Sequence, residues 1–267
     1  MGGYSNKGKT FVMKTPSFPE LETYKAESLT RVAEYHADKD LQNMGHDFLQ
    51  TAINKQYAYN FFWCGVPLLQ IPQETQAMQE VIWEVKPDCI IETGVAWGGS
   101  LMFSASMLCV LESCNYITNG LVIGIDIEIR PHNKQNIQAH PLASKIHLLE
   151  GSSIDENIVA QVSRLVEDKK RILVCLDSNH THAHVLQELR LYSPFVGIGS
   201  YCIVGDTGIE DFENAPHTER PWGAGNSPKS AVHAFLKESS DFIVDSHTER
   251  KLIFTGSPDG YLKRIKK

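Results

Sequence analysis

The chain has 267 residues, 42% of them hydrophobic and 21% charged, enough for one large domain with a sizeable core or a domain plus a smaller appendage. A formal net charge of -7 argues against a function resting on attraction to nucleic-acid phosphates. No secretory leader and no run of about 18 apolar residues is found, and the cysteines (Cys64, Cys89, Cys109, Cys114, Cys175, Cys202) form no C-x-x-C pair, so reduced thiols and a cytoplasmic location are expected.

Gly3 to Thr10, GYSNKGKT, matches the phosphate-loop pattern G-x-x-x-x-G-K-[ST]. That mechanism needs a strand before the loop and a helix after it, and this stretch has neither, so the match reads as accidental and residues 1–18 as a flexible tail. Leu21 to His36 and Asp38 to Asn54 have helical composition. Gln56 to Pro72 is dense in rings, with Tyr57, Tyr59, Phe61, Phe62 and Trp63. It either drapes over the core or lines a substrate site, draping being the better expectation for most of these rings. Gln73 to Val85 reads as an amphipathic helix stopped by Pro87. Residues 19–86 thus form an N-terminal helical and aromatic segment, and 87–267 the main domain.

From residue 88 onward apolar runs alternate with helical patterns. Strands are expected at Asp88 to Thr93, Leu121 to Asp126, Lys145 to Glu150, Arg171 to Asp177, Ser200 to Asp206, Phe242 to Val244 and Lys251 to Thr255. Helices are expected at Leu101 to Leu111, His132 to Ala143, Asp155 to Glu167, Thr181 to Tyr192 and Ser230 to Glu238. This alternation predicts an α/β fold with a doubly wound, mostly parallel Rossmann-like sheet, which binds ligands beyond the carboxyl ends of its strands.

Those strand ends are polar. The first leads through Glu92 into Gly94, Gly98, Gly99 and Ser100, a strand–glycine–helix turn that lets a ligand approach the main chain. The second ends in Asp126, where a ribose-binding acid sits in dinucleotide folds. Asp126 follows Gly94 by 32 residues rather than the roughly 20 of a nicotinamide fingerprint, and G-x-G-x-x-G is absent, so another adenosine-type cofactor is favoured. The third strand is followed by Gly151, Ser152 and Ser153; the fourth ends in Asp177 with His180 behind it; the fifth ends in Asp206. Asp177 and Asp206, on neighbouring strands, make a hard-oxygen site suited to Mg²⁺. His180 is a candidate general base, because imidazole changes charge nearest neutral pH. A rival set, Asp177, His180 and His184, has the composition of a two-histidine, one-carboxylate iron site. The long segment Phe212 to Pro228, with Trp222, is expected to cover the acceptor.

Glu92-x-Gly94-x-x-x-Gly98-x-Ser100 resembles the first motif of metal-dependent O-methyltransferases of the catechol type. ETGVAWGGSLMFSASML from Glu92, GVPLLQIP from Gly65 and VGDT from Val204 more closely resemble the cephalosporin hydroxylase and rhamnosyl or macrolide-sugar O-methyltransferase family, over roughly residues 55–267. The resemblance implies a class I methyltransferase using S-adenosylmethionine. Glu92, Gly94, Gly98 and Ser100 would hold the methionine part of the cofactor, Asp126 its ribose, and Ser153 would approach the adenine. Asp177, lining the cofactor site, and Asp206 would ligate Mg²⁺, with His180 as the base. The family commonly has Glu-Asp where this chain has Gly205-Asp206. The acceptor would be a sugar or other small molecule, with no nucleic acid or membrane partner, and the pattern is compatible with a homo-oligomer. A non-heme iron hydroxylase using a 2-oxo acid, and a catalytically silent cofactor-binding protein, are the alternative readings.

Overall fold

The computed structural model describes residues 18–211 and 219–266. The expected tail, apart from residue 18, and the first half of the expected lid lie outside the described residues.

Two helices come first, α1 (Pro19–Ala37) and α2 (Lys39–Asn54). Asp38 separates them, and its carboxylate accepts from the backbone N–H groups of Asp40 and Leu41, capping α2. A hairpin follows, β1 (Phe61–Trp63) and β2 (Val66–Leu68), and then α3 (Pro72–Val85), which opens on a proline whose missing N–H costs nothing there. After α3 come β3 (Cys89–Thr93), α4 (Gly99–Ser113), β4 (Leu121–Asp126), α5 (Pro131–Ala139), β5 (Ile146–Glu150) and α6 (Glu156–Leu165). The rest is β6 (Ile172–Leu176), α7 (His182–Tyr192), β7 (Tyr201–Val204), α8 (Pro228–Glu238), β8 (Phe242–Val244), α9 (Ser246–Lys251) and β9 (Tyr261–Arg264).

The main sheet has seven strands in the order β5-β4-β3-β6-β7-β9-β8. β5 through β7 are parallel, and β9 pairs antiparallel with both β7 and β8. Every residue of β3 and β6 is buried, as central parallel strands covered on both faces require. Successive residues of β3 feed opposite cores. Ile91 packs with Val174, Leu189 and Phe235 under α7 and α8, whereas Ile90 packs with Ile82, Leu101 and Leu108 under α3 and α4. This is the doubly wound arrangement expected from the alternating pattern.

Two expected elements differ. No strand forms at 251–255; Lys251 ends α9, and the sheet is completed by Tyr261–Arg264 instead. Asp245 accepts from His247 N and starts a helix that runs into the first residue of the expected strand. The helix expected from His132 to Ala143 stops at Ala139, because Pro141 disfavours helical geometry at His140.

The N-terminal segment packs onto the sheet domain. Tyr35 donates its hydroxyl to Lys251 O (2.7 Å), and Trp63 donates Nε1–H to Ser106 Oγ (3.0 Å). All six cysteines are free, with Cys89, Cys175 and Cys202 buried. Among the described residues, no helix is long and apolar enough to cross a membrane.

Candidate functional site

A cavity of about 460 Å³ lies at the carboxyl ends of β3, β4, β6 and β7. Its floor is the turn from Gly94 to Ser100. Gly94 has φ 90°, and a Cβ there would stand 2.1 Å from the carbonyl oxygen of Asp177, so only glycine lets these two strand ends approach. Asp126 braces the same turn: its Oδ2 accepts from Val95 N (2.8 Å) and Ala96 N (3.3 Å). Asn133 Nδ2 donates to Ala96 O (2.7 Å) from below. Gly94, Gly98, Ser100 and Asp126 all line the cavity.

Glu92 and Ser153 do not. Glu92 is buried, with Ser100 Oγ donating to its carboxylate, and burial pushes its pKa up to about 7 against the lowering effect of that bond. It therefore reaches the cavity only through Ser100. Ser153, expected to approach the adenine, does not line the cavity. Its buried hydroxyl lies 3.0 Å from His184 Nε2, inside a network in which Ser178 donates to the fully buried Glu188 (2.7 Å). His184 is absorbed by that network, so the iron set Asp177, His180, His184 does not assemble. His182 instead bonds Ser230 Oγ at 2.8 Å.

Asp177, His180 and Asp206 do converge. One ligand atom from each lies within 4.8 Å of the others, the one such group of metal-capable side chains among the described residues. His180 Nε2 is 3.3 Å from Asp206 Oδ2. The ring of Trp222 stands edge to face on His180, with centroids 4.9 Å apart. Trp222 comes from the described half of the expected lid and lines the cavity with Arg220. Asp177, whose side chain is open to the cavity, is held well above the usual carboxylate range, first by the desolvation that the surrounding protein imposes and then by repulsion from Asp206, Glu92, Glu74 and Glu188. Gly205 makes room for it: a Cβ there would sit 2.6 Å from Asp177 Oδ1.

Sequence reasoning missed Glu74. It sits in the first turn of α3, lines the cavity, and is fixed by Thr255 Oγ1 and Gly256 N, both donating to Oε1 at 2.7 Å. Burial raises its pKa to about 7, with the Thr255 bond opposing. The only signal was an acid at the start of a helix, which ordinarily means a favourable dipole contact. Of the aromatic stretch, Tyr57 and Tyr59 line the cavity, while Phe62 points outward, 65% exposed, and Trp63 packs on Phe103.

The cavity thus presents Glu74, Asp126, Asp177 and Asp206 against a single full cation, Arg220, among the described lining residues. Such a wall suits a ligand carrying positive charge beside a bound cation.

A family model described as rhamnosyl O-methyltransferase/CmcI matches residues 55–265. A rhamnosyl O-methyltransferase of Mycobacterium bovis (strain BCG / Pasteur 1173P2) is 27% identical over 228 residues, covering 82% of this chain and 86% of that protein. One from Mycobacterium leprae (strain TN) is 27% identical over 227 residues, covering 82% and 91%. Among solved structures, the CmcI-N160 apo-structure superposes with a TM-score of 0.52 at 18% identity, covering 78% of each chain.

Proposed function

Because the chain belongs to the rhamnosyl O-methyltransferase/CmcI family over residues 55–265, we propose that it transfers the methyl group of S-adenosylmethionine to a hydroxyl of a sugar or other small molecule. The observation that carries this reading is spatial. The glycine turn, Asp126 and the Asp177–His180–Asp206 group share one cavity.

The residues present fit both implied groups. Gly94, Gly98 and Ser100 form a floor without obstructing side chains, with Asp126 at its edge; these would hold S-adenosylmethionine, and Glu92 would act through Ser100. Bound there, the cofactor supplies a methyl on a positively charged sulfur. Asp177 and Asp206 would hold Mg²⁺, a hard cation that takes few carboxylates and keeps water, so two acids suffice with glycine at 205. Held there, such a cation would supply Lewis acidity that lowers the pKa of a nearby hydroxyl.

His180 would take the proton of the acceptor hydroxyl at Nδ1 as the oxygen–methyl bond forms and the methyl–sulfur bond breaks. Nδ1 is the ring nitrogen turned away from Asp206, since Nε2 faces Asp206 Oδ2. Asp206 Oδ2, 3.3 Å from Nε2, would stabilise the resulting imidazolium, and the ring of Trp222 packs edge to face beside it. Trp222 and Arg220, whose guanidinium lies 5.1 Å from the Trp222 ring centroid, would border the acceptor. Titration calorimetry with S-adenosylmethionine, with and without Mg²⁺, tests the reading directly: saturable binding of one equivalent is expected, and no binding under either condition rejects it.

A further inference from the structure

The cavity floor holds one residue in a conformation its type disfavours. Ala96 has φ 45°, a left-handed geometry that a side chain with a Cβ enters only at a cost. It is the first central residue of the turn in which Gly98 N donates to Val95 O (2.8 Å). Asn133, in the first turn of α5, fastens it from beneath by donating Nδ2–H to Ala96 O (2.7 Å). α5 is pressed against the turn, since a Cβ on Gly98 would stand 2.6 Å from Ile137. The Asn133 amide cannot turn over, because a carbonyl oxygen only accepts. Its Oδ1 is buried and has no partner among the described residues. An unpaired buried acceptor costs stability, and a leucine of similar size would leave none. The gain from Asn133 must therefore lie elsewhere.

It lies in the orientation of one peptide group. Ala96 and Trp97 are joined by a trans bond, so the Trp97 N–H points opposite to the Ala96 carbonyl. Ala96 and Trp97 line the cavity and Asn133 does not. With the carbonyl turned down onto Asn133, the N–H is turned up into the cavity, and no acceptor takes it among the described residues. Gly99 and Ser100 follow at the start of α4, whose first N–H groups have no partner within the helix and no side-chain cap. Elsewhere the wall is acidic, and Arg220, the single full cation among the described lining residues, stands by Trp222 and His180 at the reacting end. An anionic group bound over the floor is thus stabilised by these N–H groups alone. S-adenosylmethionine carries one such group, its carboxylate.

We infer that Asn133 is a positioning residue for the cofactor: by holding the Ala96 carbonyl away from the cavity, it aims the Trp97 N–H at the carboxylate of S-adenosylmethionine. This rests on the methyltransferase reading above.

The test uses the full chain with two ligands, S-adenosylhomocysteine, which keeps the carboxylate, and methylthioadenosine, which lacks it. The chain has four tryptophans, so isotope labelling at their main-chain nitrogens gives four amide signals in NMR, and Trp97→Phe assigns the one of interest. S-adenosylhomocysteine is expected to move the Trp97 amide proton of the wild type downfield further than the other three, and methylthioadenosine is not. In calorimetry, Asn133→Leu should raise Kd for S-adenosylhomocysteine about tenfold and leave Kd for methylthioadenosine within about twofold. Its Tm should stay within about 2 °C of wild type, because the lost bond and the removed unpaired acceptor offset each other. A purely structural role would lower Tm and weaken both ligands alike, and that result overturns the inference. A Trp97 amide unmoved by bound S-adenosylhomocysteine overturns it in the wild type, whether or not the variant folds. In both cases the cofactor still binds the wild type and the methyltransferase reading survives, whereas a wild type that binds neither ligand overturns that reading as well.

Discussion

His180 touches Asp206 on one side and Trp222 on another, so its removal takes away a proton acceptor while leaving the glycine floor intact. His180→Ala is expected to lower kcat by about 10²–10⁴-fold while the dissociation constant for S-adenosylmethionine stays within about twofold, as measured by initial rates and calorimetry side by side. Equal loss of both would assign the histidine to binding instead. Glu92 gives a stability prediction. Burial raises its pKa from 4.5 in an unstructured chain to about 7 in the fold, so between those values the folded state holds more protons. Its contribution is fully present below about pH 4.5 and is lost as pH rises through about 7. Glu92→Gln, which cannot ionise, should therefore raise Tm by a few degrees at pH 8, and the advantage should fade toward pH 4.5 in thermal melts. These residues were legible in the sequence because each sits within a few positions of a strand end, where local pattern and chemistry coincide. Glu74 was not, since its place in the cavity wall depends on Thr255 and Gly256, far along the chain. The contact of Ser153 with His184 was not legible either, because a serine after a strand looks the same whether it faces a ligand or a histidine.

The described part of the segment expected to cover the acceptor is held by several contacts, Trp222 against His180 and His182 N donating to Asn226 Oδ1 among them, and Glu210 adds another. Glu210 accepts from Gly225 N (3.0 Å) and from Ser227 Oγ, which also caps α8 through Ser230 N. A single carboxylate thus ties the turn after β7 to the far end of the segment carrying Arg220 and Trp222. Glu210→Ala should loosen that tie and raise the acceptor KM by about tenfold, in keeping with roughly 1.5–3 kcal/mol for a charged hydrogen bond, while cofactor affinity holds. An unchanged KM would show that the lid is fixed by other contacts. The parallel core was plain in the sequence, because β6 is a continuous apolar run of strand length and β3 is one closed by Glu92 and Thr93. The last strand was not: KLIFT at 251–255 is more apolar than YLKR at 261–264, yet the latter forms β9 because Asp245 commits the chain to α9 first. Pattern alone does not reveal which of two short segments finds an open sheet edge.

For the whole molecule, ligand binding and folding are linked, since the cavity is walled by Leu49 and Tyr57 from the N-terminal segment as well as by four strand ends. S-adenosylmethionine at about 100 times its dissociation constant should add roughly 2.7 kcal/mol of stability, seen as a rise in Tm of about 5–10 °C. Chelation of Mg²⁺ should remove a further increment that Asp177→Asn lacks. Equal melting with and without both ligands would mean that the cavity is not their site. The order of the sheet has a consequence for how the chain reaches this state. β8 is made before β9 but bonds only to it, and β7 has no partner on that side until β9 arrives. A nascent chain that has not yet emerged past Gly260 carries an open hydrogen-bonding edge beside Asp206, a place where two such chains can join in error. Chaperone dependence in the cell should therefore track the time spent waiting for those four residues.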